Sequence, residues 1–428
     1  MDKEKFNDSI SQGIALMAAE NYPAAKEEFS KAVEMDARSI DAYTHLGNAC
    51  VNLGQYDEAL VAFKNALLLD TTSGETLYSI GSIYLLKDEK LKAVEYYNKA
   101  ESAGFKKAEL YQILADVFFE SNDTPQALRN ITRAIAADPF DGNLRIFKVR
   151  IYLAEGKLDE AIETLDEMQK ILPDAFEAYD LRAQILCGQE KYEEALKICE
   201  LGCSRFPDDI NLALSKLKVL VQMDREDDAL QLVSDMKNNG KYALVLREAV
   251  TQESLAYIKK RDVQSAIKVL KEANDSLGGD QDILYLLLTA CGRSEDYEQI
   301  IKVSEQLMGM NSRSFYNGTA RYYHAFALEK LGRTEDAKKE YRQLISLLRR
   351  FTIEEPSFYE GYIYRLLSHT KLGEYDKALE LAEYIENLYP DRADSHAFRY
   401  YIFKEQGDME KAEIEKNEAV KINPKFKL

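Results

Sequence analysis

Residues 41–60, DAYTHLGNACVNLGQYDEAL, contain the pattern that decides the fold of this chain. Gly47 and Ala59 are small, Gly54 lies between them, and Phe63 follows four residues after Ala59. Residues three or four apart share one face of a helix, so Ala59 and Phe63 belong to the same helical face. Gly54 can end the preceding helix because glycine readily adopts a positive φ. The stretch therefore predicts two antiparallel helices that are joined by a short turn and approach closely at their small residues.

This pattern recurs along the chain with a period of 34 residues. The recurring alanine appears at six successive steps of 34 residues, and the series continues, with one isoleucine, at steps of 37, 34, 37, 41 and 34. The series is Ala25, Ala59, Ala93, Ala127, Ala161, Ala195, Ala229, Ala266, Ile300, Ala337, Ala378, Ala412. Twelve units of 34 residues and 13 extra residues together account for residues 6–426. Because one helix pair cannot bury its apolar face alone, the pairs must stack, and the sequence predicts an all-α solenoid of stacked antiparallel helix pairs.

Further columns appear when each unit is numbered from 1 to 34 with the recurring alanine at position 20. Position 8 is small in the first units, position 24 is large, position 27 is often small, position 15 is glycine in five units, and position 32 is proline in five. These columns resemble the tetratricopeptide repeat. The resemblance implies a right-handed superhelix whose first helices line a concave groove, with positions 2, 5, 6, 9, 12 and 13 of each unit facing it. Extended or helical peptides usually bind to that groove in this family.

A few residues depart from the family pattern in units 5 to 9. Val149, Leu217 and Leu288 replace the small residue at position 8, and Ile300 replaces the alanine at position 20. Larger side chains keep packed helices further apart. We therefore expect a looser approach of the two helices in these units, or a local distortion of the superhelix.

Three insertions interrupt the period, near Leu244–Leu246, Phe315–Asn317 and Thr352–Phe358. The last one, TIEEPSF, contains a proline and is the best candidate for a hinge or a boundary. The sequence predicts repeat units 1–10 over residues 6–351, an insert or hinge over 352–358, and units 11 and 12 over 359–426. One continuous solenoid over residues 6–426 is the alternative.

The composition limits the classes of function. The chain has 74 acidic residues against 56 lysines and arginines, a net charge of −18, which repels nucleic acid and anionic membranes from the surface as a whole. It has no apolar stretch of about 18 residues, and its first residues lack the pattern of a signal peptide. Its five cysteines include no CxxC motif, which favours a reduced compartment. We expect a cytoplasmic protein that binds no nucleic acid and does not span a membrane.

Sequence motifs for catalysis and for cofactor binding are absent. There is no GxxxxGK[ST], GxGxxG, HExxH or GxSxG. Cys199 and Cys203 are four residues apart, but no nearby histidine or cysteine completes a metal site. His324, His369 and His396 occupy core-type positions 7, 11 and 4, for which we expect structural roles. The sequence therefore predicts a protein that is not an enzyme and uses no cofactor and no metal ion.

Position 13 of the repeat is basic in four consecutive units, 8 to 11. The residues are Lys259, Arg293, Lys330 and Lys371. They lie near the C-terminal ends of the first helices, so one interpretation is that they complement the helix dipole. The other interpretation is that they donate hydrogen bonds to carboxylates or backbone carbonyls of a bound peptide.

Positions 5, 6 and 9 become apolar and aromatic in units 9 to 12, where a solvated groove would be polar. The predicted binding residues in these columns are Tyr285, Tyr322, Phe326, Ile363, Leu367 and Tyr401. An exposed apolar patch usually marks a partner site, and tyrosine is a common anchor at interfaces. The alternative is that some of these side chains pack between neighbouring first helices.

Together these columns favour an interaction scaffold or adaptor that holds a peptide segment or a partner protein in the concave groove. The alternative is a ligand-responsive sensor whose superhelix changes shape on peptide binding and whose output comes from a separate partner. In both cases the predicted partner is a protein or a peptide. We expect a monomer, and a weak dimer stays open as an alternative.

Overall fold

The structure is a computed structural model that describes residues 3–310, 315–354, 358–389 and 393–423. Contacts divide the chain into two compact units, Met1–Pro207 and Asp208–Leu428. Every regular element within the described ranges is a helix. Pro207 occupies position 32 of the sixth repeat, so the division coincides with the end of a repeat.

The described residues of the first unit form twelve helices in six consecutive pairs. Their bounds are α1 (Lys3–Ala18), α2 (Tyr22–Met35), α3 (Ile40–Asn52), α4 (Tyr56–Leu69), α5 (Gly74–Leu86), α6 (Lys90–Ser102), α7 (Ala108–Glu120), α8 (Thr124–Ala137), α9 (Gly142–Ala154), α10 (Leu158–Ile171), α11 (Phe176–Gly188) and α12 (Tyr192–Arg205). Each helix from α1 to α11 packs against the next one along the chain. Short turns reverse the chain between them, so successive helices are antiparallel.

The second unit continues the pattern with one additional short helix. Its helices are α13 (Ile210–Gln222), α14 (Glu226–Asn238), α15 (Lys241–Leu244), α16 (Leu246–Lys259), α17 (Val263–Ser276), α18 (Gln281–Ser294), α19 (Tyr297–Met310), α20 (Phe315–Lys330), α21 (Thr334–Glu354), α22 (Tyr359–Lys371), α23 (Tyr375–Leu388), α24 (Asp394–Gln406) and α25 (Met409–Ile422). The short α15 is an additional helix between two repeats and packs against α14 and α16. The first helices of the repeats after it are therefore α16, α18, α20, α22 and α24. The prediction of an all-α fold of stacked antiparallel helix pairs is confirmed.

Position 15, directly after the first helix, has a positive φ in all twelve repeats. Five of these residues are glycines: Gly54, Gly156, Gly332, Gly373, Gly407. The other seven are not glycine and adopt the same conformation: Glu20, Asp88, Asn122, Glu190, Asp224, Arg261, Glu295. The prediction that the glycines end the first helix is confirmed, and the same left-handed turn also forms in the repeats that lack glycine.

Positions 8 and 24 of each helix pair contact each other, and the side-chain volumes at the two positions complement each other. Gly47 lies so close to Phe63 that a Cβ added to Gly47 would stand 2.7 Å from the ring. The ninth repeat reverses this arrangement, with Leu288 at position 8 and Ser304 at position 24, both fully buried. A bulky residue on one helix is thus matched by a small residue on the other, which keeps the interior of the pair closed.

The insertion at Thr352–Phe358 begins inside a helix. α21 has 21 residues and extends to Glu354, whereas α23, the corresponding helix of the next repeat, has 14 residues. The first three inserted residues are therefore helical, and residues 355–357 lie outside the described ranges. The hinge at 352–358 and the boundaries proposed around it stay a prediction.

Candidate functional site

The ten predicted binding residues all lie in the second unit, on the first helices of its repeats. Lys259 is on α16, Tyr285 and Arg293 are on α18, Tyr322, Phe326 and Lys330 are on α20, Ile363, Leu367 and Lys371 are on α22, and Tyr401 is on α24. The six apolar and aromatic side chains are half-buried. The geometry divides the ten residues into those engaged within the fold and those that border open space.

Tyr322 belongs to a cluster of tyrosines between α20, α21 and α22. Its ring centroid is 5.2 Å from that of Tyr364 and 6.0 Å from those of Tyr323 and Tyr341. Burial raises the pKa of Tyr322 well above its ordinary value, and the neighbouring Tyr401 hydroxyl adds to this shift. Tyr322 therefore packs between neighbouring helices, which is the alternative that the sequence left open for positions 5, 6 and 9.

Ile363, Leu367 and Phe326 also have contacts within the fold. Ile363 and Leu367 pack against the buried core formed by α22, α23 and α24. The Phe326 ring meets Tyr297 edge-on at 6.1 Å, and the Lys330 ammonium lies 5.4 Å from the Phe326 centroid. These side chains are half-buried: each one contacts residues within the fold and is also partly accessible to solvent.

Lys371 is held by two carboxylates and an aromatic ring. Its Nζ lies 3.6 Å from Glu329 and 3.5 Å from Glu405, and it stands 5.8 Å from the centroid of Tyr401. Burial acts to lower the pKa of Lys371, but Tyr401, Glu329 and Glu405 outweigh burial and raise it. The Tyr341 hydroxyl also donates to Glu329, at 3.0 Å. With a side chain only 10 % exposed, Lys371 is a structural cation in this conformation.

Lys259 stabilises the end of an earlier helix. Its Nζ donates to the Val221 carbonyl oxygen at 2.5 Å and to the Asp224 carboxylate at 2.6 Å. Val221 lies in the last turn of α13, where backbone carbonyls have no partner within the helix. Arg293, by contrast, is exposed, so the four bases at position 13 do not form one uniform set of donors.

Tyr285 borders a pocket of about 320 Å³ between α13, α16 and α18. Its lining comprises Lys218, Arg247, Glu248, Thr251, Gln252, Asp282, Tyr285 and Leu286. The Tyr285 ring lies 5.3 Å from Tyr316, whose hydroxyl donates a hydrogen bond to Asp282. This hydrogen bond, together with burial, raises the pKa of Tyr316 to about 12. The pocket thus has an aromatic, an apolar and an acidic side chain from α18 and polar side chains from the two preceding first helices.

Sequence reasoning missed the polar half of this pocket. Lys218 is at position 9 of the seventh repeat, and Thr251 and Gln252 are at positions 5 and 6 of the eighth. They belong to the same groove columns as Tyr285, but the apolar residues singled out in those columns begin at the ninth repeat. Examining the polar residues of columns 5, 6 and 9 in the preceding two repeats would have found them.

The described part of the chain offers no metal site and no membrane span. Among the described residues, no three His, Cys, Asp or Glu side chains come together in a group that could hold a metal ion. None of the described helices is both long enough and apolar enough to cross a bilayer.

Comparison with known proteins gives the same repeat in both units. Four family models described as tetratricopeptide repeat match residues 40–72, 74–103, 118–185 and 319–347. TPR repeat-containing protein MJ1428 of Methanocaldococcus jannaschii is 24 % identical over 434 residues, covering 99 % of this chain and 70 % of its own length. Anaphase-promoting complex subunit 3 of Schizosaccharomyces pombe is 26 % identical over 159 residues, covering 36 % of this chain and 23 % of its own length.

Among solved structures, the APC/C hetero-tetramer Cut9-Hcn1 is 11 % identical, with a TM-score of 0.41, and covers 97 % of this chain and 93 % of its own. Tetratricopeptide repeats in general mediate protein–protein interactions. The 34-residue period, the paired helices and the four family matches agree, and this chain is a tetratricopeptide-repeat protein.

Proposed function

We propose that this protein is an interaction scaffold that holds a peptide segment of a partner protein against the first helices of the second unit, at the pocket beside Tyr285. The observation that supports this is the pocket itself, which combines Tyr285 and Leu286 with Lys218, Thr251 and Gln252. Binding sites are typically apolar concavities with a few convergent polar groups that fix orientation. Three successive first helices contribute to this one.

The pocket is suited to one apolar side chain of an extended or helical peptide. Its volume of about 320 Å³ is at the lower end of ligand pockets. The Tyr285 ring and Leu286 provide the contact for this side chain, while the Lys218 ammonium and the Gln252 amide can donate to peptide carbonyls. The rim contains two bases, Lys218 and Arg247, and two acids. Since the bases and acids at the rim balance, the pocket does not favour peptides of one charge, and the apolar anchor should dominate the selection of peptides.

Arg247 is partly engaged already, because its guanidinium lies 2.5 Å from the Asp280 carboxylate. Lys218 is therefore the better donor for a peptide. The tyrosines around Tyr322 lie further along the same series of helices and support the wall against which a longer peptide would continue. Removing Tyr322 would disturb packing between α20 and α22, so the decisive variants belong at the pocket instead.

The test is selection of binders from a random peptide library displayed on phage, with the wild-type protein as bait. Peptides selected on the wild type are then titrated against Tyr285→Ala and Lys218→Ala. Loss of an aromatic anchor typically costs about 2 kcal/mol, so Tyr285→Ala should weaken binding roughly 30-fold. Lys218→Ala should weaken it by a smaller factor, about tenfold, because one hydrogen bond from a charged donor, worth about 1.5 kcal/mol, is lost.

The matched control is Ile414→Ala, which removes an apolar side chain 55 % exposed on the second helix α25. It should leave the affinity unchanged. Far-ultraviolet circular dichroism of every variant establishes that the helices are intact. If the selected peptides bind Tyr285→Ala and Lys218→Ala as tightly as the wild type, the pocket is not the binding site and the proposal is wrong.

A further inference from the structure

A larger cavity, of about 800 Å³, lies between α21, α22 and α23. Its lining comprises Ile345, Arg349, Thr352, Ile353, Tyr362, Arg365, His369, Lys377, Glu380, Leu381 and Tyr384. The residues from α22 are at repeat positions 4, 7 and 11, whereas the groove columns are 2, 5, 6, 9, 12 and 13. This cavity therefore uses a different face of α22 from the groove and is independent of the function proposed above.

The extended C-terminal part of α21 builds one wall of this cavity. α21 is seven residues longer than α23, and the additional residues 348–354 contain Arg349, Thr352 and Ile353. The Thr352 hydroxyl accepts a hydrogen bond from Arg365 Nη1 at 2.9 Å, and its carbonyl oxygen accepts one from the Tyr362 hydroxyl at 3.4 Å. The lengthened helix thus holds Arg365 and Tyr362 in place across the cavity.

Two arginines place positive charge in this cavity, and no described carboxylate forms an ion pair with either of them. Arg365 is half-buried, and among the described residues its Nε has no hydrogen-bond partner and almost no contact with solvent. Burial lowers the pKa of Arg365, and the nearby Arg349 lowers it further. Over the ranges that the structure describes, neither arginine has a carboxylate within ion-pairing distance, although Glu380 also lines the cavity. A partly desolvated guanidinium such as that of Arg365 is stabilised by an anion, and no carboxylate of the described residues lies within reach of it.

The other basic groups of the cavity are already neutralised. Glu374 receives the Lys377 ammonium at 3.0 Å and lies 2.7 Å from the His369 ring nitrogen. Burial is the main cause that lowers the pKa of His369, which favours its neutral form. Arg349 and Arg365 therefore remain as the groups available to an anion.

The rest of the lining is largely apolar and aromatic. The rings of Tyr362 and Tyr384 are 5.0 Å apart, and Ile345 and Leu381 lie beside them on the neighbouring helices. At about 800 Å³ the cavity is too large for a simple inorganic ion and falls in the range of organic ligands. We propose that it binds an organic anion whose phosphate or carboxylate group is taken by Arg349 and Arg365 and whose apolar body lies against Tyr362 and Tyr384.

The test is isothermal titration of the full-length protein with three probes: phenyl phosphate, benzoate and inorganic phosphate. Phenyl phosphate or benzoate should bind, and inorganic phosphate, which has no apolar body, should bind at least about tenfold more weakly than the better of the two. The preferred aromatic probe distinguishes a phosphate ligand from a carboxylate ligand. The proposal is overturned if neither aromatic anion binds with a dissociation constant below roughly 10 mM.

Variants on α21 separate this site from general charge effects. Arg349→Glu places a carboxylate in the cavity that would repel the anion and pair with Arg365, and it should weaken the better probe at least about tenfold. Arg350→Glu is the matched control, because it changes the charge of the protein by the same amount at the neighbouring position. Arg350 does not line the cavity and pairs with Glu354 at 3.1 Å. It should change the affinity by less than about twofold. Equal weakening by both variants would overturn the proposal. Because Arg349 is exposed, its variant tests the site without disturbing the core.

Discussion

His324 on α20 is half-buried and keeps one ring nitrogen, Nδ1, out of contact with solvent and without a hydrogen-bond partner in the described structure. Its Nε2 lies 3.8 Å from Glu305. Burial lowers the pKa of His324 below its ordinary value; Glu340 and Glu305 oppose this shift, and Arg333 and Arg321 reinforce it. The neutral ring is therefore the form that the folded protein favours.

This shift predicts a pH dependence of stability at a single residue. An unfolded histidine titrates near 6.5, so the contribution of His324 is fully present above about pH 6.5 and is lost as the pH falls through the lowered folded pKa. His324→Gln, which cannot titrate, should lose less stability than the wild type between about pH 7.5 and pH 5. Urea unfolding midpoints at the two pH values measure the difference. An equal loss in both proteins would contradict the prediction.

At the residue scale, the sequence predicted which side chains are buried better than it predicted the groups with which they pair. It assigned His324, His369 and His396 to core-type positions, and in the structure His369 is buried while the other two are half-buried. It could not predict that His396 lies 2.6 Å from Glu415 on the next helix, because that pairing depends on the rotation of α24 against α25. The same holds for Lys371, whose carboxylate partners lie on two other helices, and for Lys259, whose partner Asp224 lies in the turn after α13.

The turn after the first helix gives a prediction at the scale of the element. A non-glycine residue in the left-handed region costs about 1–2 kcal/mol, and glycine loses part of this advantage through its larger entropy in the unfolded chain. Glu190→Gly should therefore stabilise the protein by about 0.5–1 kcal/mol. The reciprocal variant Gly54→Ala should destabilise it by about 1 kcal/mol, since nothing within 4 Å of Gly54 would obstruct the added Cβ and only the backbone conformation is strained.

Chemical denaturation of both variants beside the wild type measures these changes. Since Glu190 and Gly54 occupy the same position of different repeats, each is the control for the other. If Glu190→Gly is no more stable than the wild type, the left-handed conformation of Glu190 is not a source of strain.

The sequence predicted this element only where glycine marks it. Five glycines at position 15 were visible, whereas the three glutamates and Arg261 there give no sign of a positive φ, and the two aspartates and one asparagine favour it only weakly. The repeat period forces the turn regardless of residue type, because the second helix must return along the first. The insertion near Thr352 shows the same limit of the sequence. The period located its seven extra residues, but the continuation of α21 to Glu354 depends on packing against α22.

At the scale of the whole molecule, the period predicted the helix pairs but not how the contacts divide. The sequence contains no linker at Pro207, yet the contacts divide the chain there. The apolar columns of the groove show the same limit. Positions 5, 6 and 9 lie where a side chain can face either solvent or the neighbouring first helix, and only the structure distinguishes Tyr285, which borders a pocket, from Tyr322, which packs inside a cluster.

Stacked repeats make stability depend on complete pairs, which predicts how fragments of the first unit behave. Fragment 1–207 ends after α12, and fragment 1–173 ends after α10, so both contain whole repeats. Fragment 1–189 ends after α11 and leaves that helix without its partner α12. The face of α11 that includes Ala183 and Leu186, buried in the intact chain, would then be exposed.

We expect α11 to fray in fragment 1–189, because a single helix of this length is marginal in water without tertiary packing. The mean residue ellipticity at 222 nm should be lower for fragment 1–189 than for either 1–173 or 1–207, and its urea midpoint should not exceed that of 1–173. This order is not monotonic in length, so a simple effect of chain length cannot produce it. A steady increase in helicity per residue from 1–173 through 1–189 to 1–207 would show that single helices, not pairs, are the stable units of this protein.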